Sequence, residues 1–318
     1  MKKDEDSEHF DQFLRESMAV PGLPAAPRKR ATDKTPSTLM LWPSLREGLK
    51  QRAQDEALLQ ALVKRMQQFP ISTDEKENIV MSNTVSEILY GKGCTAQDRQ
   101  DFLERYGCAR STLEALALIR GALQGPSDDK MRGIVEIGVG FGQWSRQLVD
   151  TYKVDIVAFD NMANLPLDPR IHHTKTDAYK RYFYQGKVRL GDDKIFQNAK
   201  LKEVYKIDGR ALMIIFPDPS PMAIDCLEAY TSSSELNDLV IYVGEGRGGA
   251  NASGAFFDEL ERVDESGEPV WELLDTCKLA PFGDKGFERL FIFKKRKCAQ
   301  SDNVDDSDSN SSNSDVSD

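Results

Sequence analysis

The second half of this 318-residue chain is predicted to be an α/β fold, a parallel sheet covered by helices on both faces. Three observations predict it. After residue 131, short apolar runs alternate with amphipathic stretches, as expected of strands buried on both faces and joined by crossover helices. The first of these runs leads into glycines at 138, 140 and 142, a strand-to-helix turn that brings a ligand against bare backbone amides. The chain then closes with two strand-like segments separated by APFGDKG, which reads as an antiparallel hairpin.

The elements follow in order. Residues 1–35 mix charge, Pro and Ala around Phe10, Phe13 and Leu14, too little apolar surface to fold alone, and read as a flexible arm. Residues 36–127 form a helical region. Leu45, Leu49, Leu58, Leu59, Leu62, Val63 and Met66 recur at three-and-four spacing after Pro43, and Pro70 closes that helix. Box-like helix starts recur at Ser72 with Glu75, Thr84 with Glu87 and Ser111 with Glu114. Gly91, Gly93, Gly107 and Gly125-Pro126 supply the breaks.

Residues 128–297 carry the alternating pattern. Strands are expected near 133–138, 154–159, 171–175, 211–216 and 239–243, with helices near 143–152, 221–230 and 253–263. The hairpin strands are expected at 270–279 and 287–296. Residues 298–318 form a Ser/Asp tail that cannot bury enough surface to offset its ordering entropy, and should be disordered.

Composition narrows the function. With 40% hydrophobic and 30% charged residues the chain has enough apolar side chains for a sizeable core. No run approaches the roughly 18 apolar residues of a membrane span, and MKKDEDSEHF puts acids where a signal peptide needs an apolar stretch. Five scattered cysteines without a CxxC, and three histidines, argue against a disulfide scaffold or a metal site and for a reducing compartment. The basic runs 28–30 and 294–297 are either nuclear-import signals or solvated charge, so the location expected is cytoplasmic or nuclear. The net charge is −10. Residues 1–35 balance seven basic against seven acidic side chains and the tail from 299 carries six Asp, leaving −4 on residues 36–298. A nucleic acid would therefore have to be held by a local patch.

The strongest motif is Val135-Glu136-Ile137-Gly138-Val139-Gly140-Phe141-Gly142. The dinucleotide fingerprint GxGxxG needs glycine at 143, where the chain has Gln143, which disfavours a nicotinamide oxidoreductase. A carboxylate at Glu136 can organise the glycine turn near a cofactor's charged end. Asp160 ends the second strand, where an acid can accept both hydroxyls of a ribose or simply close a turn. Asp177, expected after the third strand, can take an exocyclic amine or cap a helix.

On these features residues 131–297 resemble a class I S-adenosylmethionine-dependent methyltransferase. The matching residues are the E-I-G-x-G-x-G loop at 136–142, Asp160, Asp177-Ala178, Asp218-Pro219 after the fourth strand, and the closing hairpin. The resemblance implies a Rossmann-like seven-stranded sheet of order 3-2-1-4-5-7-6. It also implies S-adenosylmethionine across the ends of strands one and two, held by Glu136, Gly138, Gly140, Gly142, Asp160 and Asp177. It does not fix a substrate.

At the expected acceptor edge, Phe216-Pro217-Asp218-Pro219-Ser220-Pro221 is similar to the FPDP-x-P of transfer-RNA guanine-N7 methyltransferases. Those continue with Trp and a basic run, where this chain has Ser220 and Met222-Ala223-Ile224-Asp225. Amino-methyltransferases carry Asp/Asn-Pro-Pro and an aromatic, also absent here. Asp218 is the candidate catalytic acid, with Pro219 and Ser220 beside the acceptor; the alternative is a rigid turn. In Gly244-Glu245-Gly246-Arg247-Gly248-Gly249-Ala250-Asn251, a glycine-rich loop without GK[ST], Glu245, Arg247 and Asn251 are candidate acceptor contacts or part of a solvated turn. The acceptor, whether protein, RNA or small molecule, stays open. So does a non-catalytic, cofactor-binding regulatory role.

Removing residues 299–318 is expected to leave the melting temperature unchanged, because the tail has nothing to bury. A drop of several degrees in a truncation ending at 298 would show that the tail packs on the fold.

Overall fold

A computed structural model describes residues 75–124, 131–161, 180–184 and 187–296, with isolated helical positions between 54 and 64. The arm at 1–35, the tail from 298 and most of the first expected helix lie outside the described residues.

Runs of β-branched and aromatic side chains form seven strands, since such residues pack well on a pleated surface. They are β1 (Ile134–Ile137), β2 (Ile156–Asp160), β3 (Val188–Leu190), β4 (Ala211–Ile215), β5 (Leu239–Gly244), β6 (Trp271–Lys278) and β7 (Arg289–Lys295). Their order is 3-2-1-4-5-7-6. β1 lies between β2 and β4, all three parallel, and every residue of β1, β2 and β5 is buried. β7 returns antiparallel between β5 and β6.

Side chains alternate across the sheet with the period of two that a strand dictates. Val135, Ile137, Leu212, Ile214, Val240 and Tyr242 face one layer. That layer is closed by α6 (Met222–Ser233) and α7 (Gly254–Leu260), through residues such as Leu227, Tyr230, Phe256 and Phe257. Ile134, Ile156, Ala211, Met213, Leu239 and Ile241 face the other layer. There α3 (Leu113–Gln124) contributes Leu116, Ile119 and Leu123, and α4 (Gln143–Tyr152) contributes Trp144 and Leu148. α3 thus belongs to the core of the sheet. The short α5 (Ala199–Tyr205) follows a 3-10 turn at Asp193–Gln197.

The third strand differs from expectation. It is Val188–Leu190, whereas 171–175 lies outside the described residues. Three residues at a sheet edge, with Leu190 exposed, are too few to give a readable alternation. Asp177 therefore precedes the third strand and also lies outside the described residues. The acids that follow that strand are Asp192 and Asp193.

Three helix starts also differ. α1 (Glu75–Tyr90) runs through Thr84, whose hydroxyl donates to the Val80 carbonyl at 2.9 Å; nothing stops a helix there, and Gly91 ends it in a left-handed turn. α2 (Ala96–Tyr106) starts from an unpredicted capping box, in which Thr95 accepts from the Asp98 amide and the Asp98 carboxylate accepts from the Thr95 amide. Before α3 the capping hydroxyl is Thr112, which accepts from Ala115 N–H, while Ser111 donates to Gln147 at 2.6 Å.

The N-terminal helices are fastened by the loop of the C-terminal hairpin. Lys285 Nζ donates to the Ile88 carbonyl at 2.6 Å, and Asp284 N–H to that of Tyr90 at 3.0 Å. The Phe282 ring packs against Tyr90 and Phe102 with centroids 5.1 and 5.4 Å apart, and the Arg99 guanidinium lies 4.8 Å from the Tyr90 centroid.

The buried Tyr230 hydroxyl stitches two strand starts together, donating to the Arg210 carbonyl at 2.6 Å and accepting from Leu239 N–H at 3.4 Å. Tyr230→Phe leaves both without that partner, and should lower stability by about 1–3 kcal/mol. Urea denaturation checks this: the midpoint should fall with the slope unchanged, and an unmoved midpoint would mean that these groups find other partners.

Candidate functional site

The site begins where β1 ends. Gly138, Gly140 and Gly142 have φ of 72°, 56° and 70°, a left-handed path that only glycine follows without strain. Gly138 and Val139 N–H donate to the Phe159 carbonyl, so the loop is laid against the end of β2. Asp160, buried as the last residue of β2, accepts from Gly140 N–H at 2.8 Å. Gly142 stands at the N-terminus of α4, whose Arg146 N–H reaches back to it at 2.8 Å.

Beneath the loop Glu136 is buried and accepts a hydrogen bond from the Ser145 hydroxyl. Burial pushes its carboxyl up to about 8; the Ser145 hydroxyl opposes this and the nearby Asp160 reinforces it. The Cys108 thiol, across the cavity, is also raised by burial, with Arg99 opposing.

Gln143 explains the departure from GxGxxG. Its side chain is buried, and Nε2 donates to the Leu103 carbonyl at 3.1 Å. Next to it Trp144 Nε1 donates to the Ala109 carbonyl at 2.7 Å. The first turn of α4 thereby grips the end of α2. Gly107 ends α2 at φ 78°, where a Cβ would come within 3.2 Å of Gln143 Oε1. In the sequence Gln143 stands out only as the departure from a dinucleotide fingerprint; an amide at the first helical position beside a glycine loop is the signal that it holds a neighbouring segment.

The resulting cavity measures about 40 Å³ and is bounded by Leu103, Cys108, Glu136, Gly138, Gly140 and Gln143 among others. That is room for a few waters. Met222 crowds the loop from above: a Cβ on Gly138 would lie 2.5 Å from its Cε. The residues suit S-adenosylmethionine in chemistry, with bare amides, a left-handed glycine turn and an acid at the end of β2. They suit it in size only once the flexible end of Met222 and the α2 cap give way.

The second loop starts at β4. Phe216 has φ 52°, doubly unfavourable because it is aromatic and precedes proline. Its N–H donates to the Val243 carbonyl at 2.6 Å. The Pro217 carbonyl accepts from Ala252 N–H and from Asn251 Nδ2, each at 3.2 Å. Asp218 is exposed, and its Oδ1 accepts from the Ser220 hydroxyl and, at 3.3 Å, from Ser220 N–H. Pro219 is exposed and Ser220 half-buried. Neither Asp218 nor its two neighbours line the cavity.

The third loop follows β5. Glu245 is buried; one carboxylate oxygen accepts from Ala250 N–H at 2.6 Å and the other from Phe287 N–H at 3.3 Å. Asn251, also buried, accepts from Glu245 N–H at 3.0 Å. Arg247 turns toward α7 and pairs with Asp258 at 2.8 Å and Glu261 at 3.1 Å. The structure thus brings Glu136, the three glycines and Asp160 together at one place, and engages Glu245, Arg247 and Asn251 within and beside their own loop. Among the described residues no group of three or more His, Cys, Asp or Glu is arranged to hold a metal, and no helix is long and apolar enough to cross a membrane.

The sheet order, the closing antiparallel strand and the glycine loop after β1 are those implied by the methyltransferase resemblance, so the fold is of the class I methyltransferase type. No family model and no curated protein matches the chain. Among solved structures it is similar to MtNAS in complex with MTA and tNA, at 14% identity over 70% of this chain and 68% of that one, with a TM-score of 0.33. It is also similar to the S-adenosylmethionine-dependent methyltransferase SibL in its apo form, at 12% identity over 80% and 77%, TM-score 0.34. A third is coclaurine N-methyltransferase bound to N-methylheliamine and SAH, at 13% identity over 76% and 77%, TM-score 0.31.

Glu136 makes stability depend on pH. With its carboxyl raised from 4.5 to about 8, the folded state keeps a proton that the unfolded chain releases in that window. Stability is therefore greatest below the lower value and falls as pH rises, by on the order of 1 kcal/mol per pH unit. Thermal melts at pH 5.5, 6.5 and 7.5 should show the decline, and Glu136→Gln should flatten it; an equal slope in the variant would assign the titration elsewhere.

Proposed function

We propose that the protein is an S-adenosylmethionine-dependent methyltransferase. The single observation that carries this reading is the left-handed glycine turn at 138–142 with its Gly140 amide held by the carboxylate that ends β2. In such a site the bound cofactor supplies an electrophilic methyl group on a sulfonium. Gly138 and Gly140 would offer backbone approach to its amino-acid end, with Glu136 beneath them. Asp160 would take the ribose hydroxyls. Because β3 is Val188–Leu190, the acid after the third strand is Asp192, and we assign to it the adenine contact first expected of Asp177. The α2 cap, held by Gln143, would exclude water and fix the angle of approach, since methyl transfer depends mainly on alignment.

At the acceptor edge Asp218 and Ser220 stand on a path set by Phe216, Pro217 and Pro221. If Asp218 orients the acceptor, it must release Ser220 to do so. A second reading is favoured by that same hydrogen bond: Asp218 is a turn acid, and the fold binds cofactor without transferring its methyl.

A thermal-shift series tests both. S-adenosylhomocysteine should raise the melting temperature, a ligand at about 100 times its dissociation constant adding roughly 2.7 kcal/mol. Gly140→Val should lose the shift and Asp218→Ala should keep it. Absence of a shift in the wild-type protein at millimolar ligand would sink the proposal. Once an acceptor is found among fractionated cell components with methyl-labelled cofactor, Asp218→Ala should slow transfer by roughly 10² to 10⁴ if the acid acts on the acceptor; a rate within severalfold of wild type selects the turn reading.

A further inference from the structure

A second cavity lies away from the glycine loop, near the opposite end of β2. β3 pairs with β2 only from Ala158 onward, so the first residues of β2 leave an open edge. There a groove of about 380 Å³ forms, with Lys187, Arg189, Lys206, Arg210, Tyr184 and Tyr205 among its lining residues. Its size is that of a site for a small ligand rather than for a few waters.

The charge of this groove runs against that of the chain, which is −10 overall. Among the described residues Asp155 is the one carboxylate that lines it, and Asp155 is taken by Arg210 at 2.6 Å. The remaining donors of Arg210 go to the carbonyls of Tyr205, Lys206, Ile134 and Asp155, so Arg210 is a structural floor. The other cationic residues that line the groove are Lys187, Arg189 and Lys206. Lys187 and Lys206 are exposed.

Arg189 is held ready. Its guanidinium lies 4.5 Å from the Tyr205 ring centroid, and its Nη1 donates to the Lys187 carbonyl at 2.9 Å. A guanidinium fixed over a ring presents a flat face and a fork of N–H donors, a shape that matches phosphate oxygens in pairs and stacks on planar groups. Tyr184, whose hydroxyl donates to the Ile156 carbonyl at 3.3 Å, adds a second ring. Cations alone would suit any anion, an acidic peptide included. Rings interleaved with cations suit a phosphate that carries a base.

We propose that this groove binds a nucleotide phosphate together with its base, either as a free nucleotide or as one unit of a single strand. The groove is separate from the cofactor site, and the proposal stands whether or not the methyltransferase reading does.

Fluorescence anisotropy with a labelled short oligoadenylate, on the full chain at low salt, tests it. Binding should saturate, and log affinity should fall with log salt with a slope of about −0.7, as one neutralised phosphate on a single strand gives. Lys187→Glu with Lys206→Glu should weaken binding by at least about tenfold. Arg189→Lys, which keeps the charge and removes the fork and the stack, should weaken it severalfold. Both variants should retain the wild-type melting temperature and the S-adenosylhomocysteine shift of the wild-type protein, whatever that shift is. Competition by adenosine monophosphate as effective as by oligoadenylate identifies a free nucleotide as the source, and competition by oligoadenylate alone identifies a strand. The proposal is overturned if neither probe binds up to millimolar nucleotide, if polyglutamate competes equally, or if the charge-reversed variant binds like wild type.

Discussion

One hydrogen bond sets the frame for the rest of the site: the carboxylate that ends β2 accepting the amide of Gly140. The glycine loop has three left-handed residues in five and would otherwise sample many paths, because glycine loses more freedom on ordering than any other residue. Asp160 removes that freedom at the middle of the loop, and the Phe159 carbonyl does so at its start. With the loop fixed, Gly142 delivers the chain into α4 at one angle, and that angle places Gln143 and Trp144 against Leu103 and Ala109. The position of the α2 cap thus follows from a bond made at the end of a strand.

A different constraint governs the neighbouring edge. Phe216 and Ala252 both occupy left-handed backbone without being glycine, each at a cost of order 1 kcal/mol or more. They are joined through one carbonyl, that of Pro217, which takes the Ala252 amide and the Asn251 side chain. Glu245 then binds both Ala250 and Phe287, so the loops after β4 and β5 and the strap before β7 form one hydrogen-bonded unit. Strain is kept where the surrounding bonds over-determine the backbone, and here it lies at the edge of the sheet where an acceptor is expected.

Much of this was legible in the residues. β1, β2, β4 and β5 are short, continuous apolar runs because both faces are buried, and such runs stand out between helical stretches. The glycine loop and Asp160 were legible because backbone geometry demands those residue types. β3 was not: three residues with an exposed Leu190 carry no periodic signal, and Asp177 lies outside the described residues. The start of α2 was missed because its box closes with Asp98 rather than Glu or Gln. The directions of Glu245, Arg247 and Asn251 were not legible either. Polar side chains in a glycine-rich loop bond to whatever the tertiary fold brings near, and the partners of these three include Phe287, Asp258 and Pro217, each more than ten residues away.

The clasp between the N-terminal helices and the hairpin loop joins residues 197 positions apart at Lys285 and Ile88. During synthesis from the N-terminus, α1 and α2 leave the ribosome long before Phe282, Asp284 and Lys285 exist to receive them. Contacts of such sequence separation form late, after the entropy of closing the long loop has been met. Until then the Tyr90 and Phe102 rings are presented to solvent, as surface on which chaperones and other nascent chains act. A chain cut short before the hairpin therefore lacks both the residues that fasten α1 and α2 and the strand that covers β5.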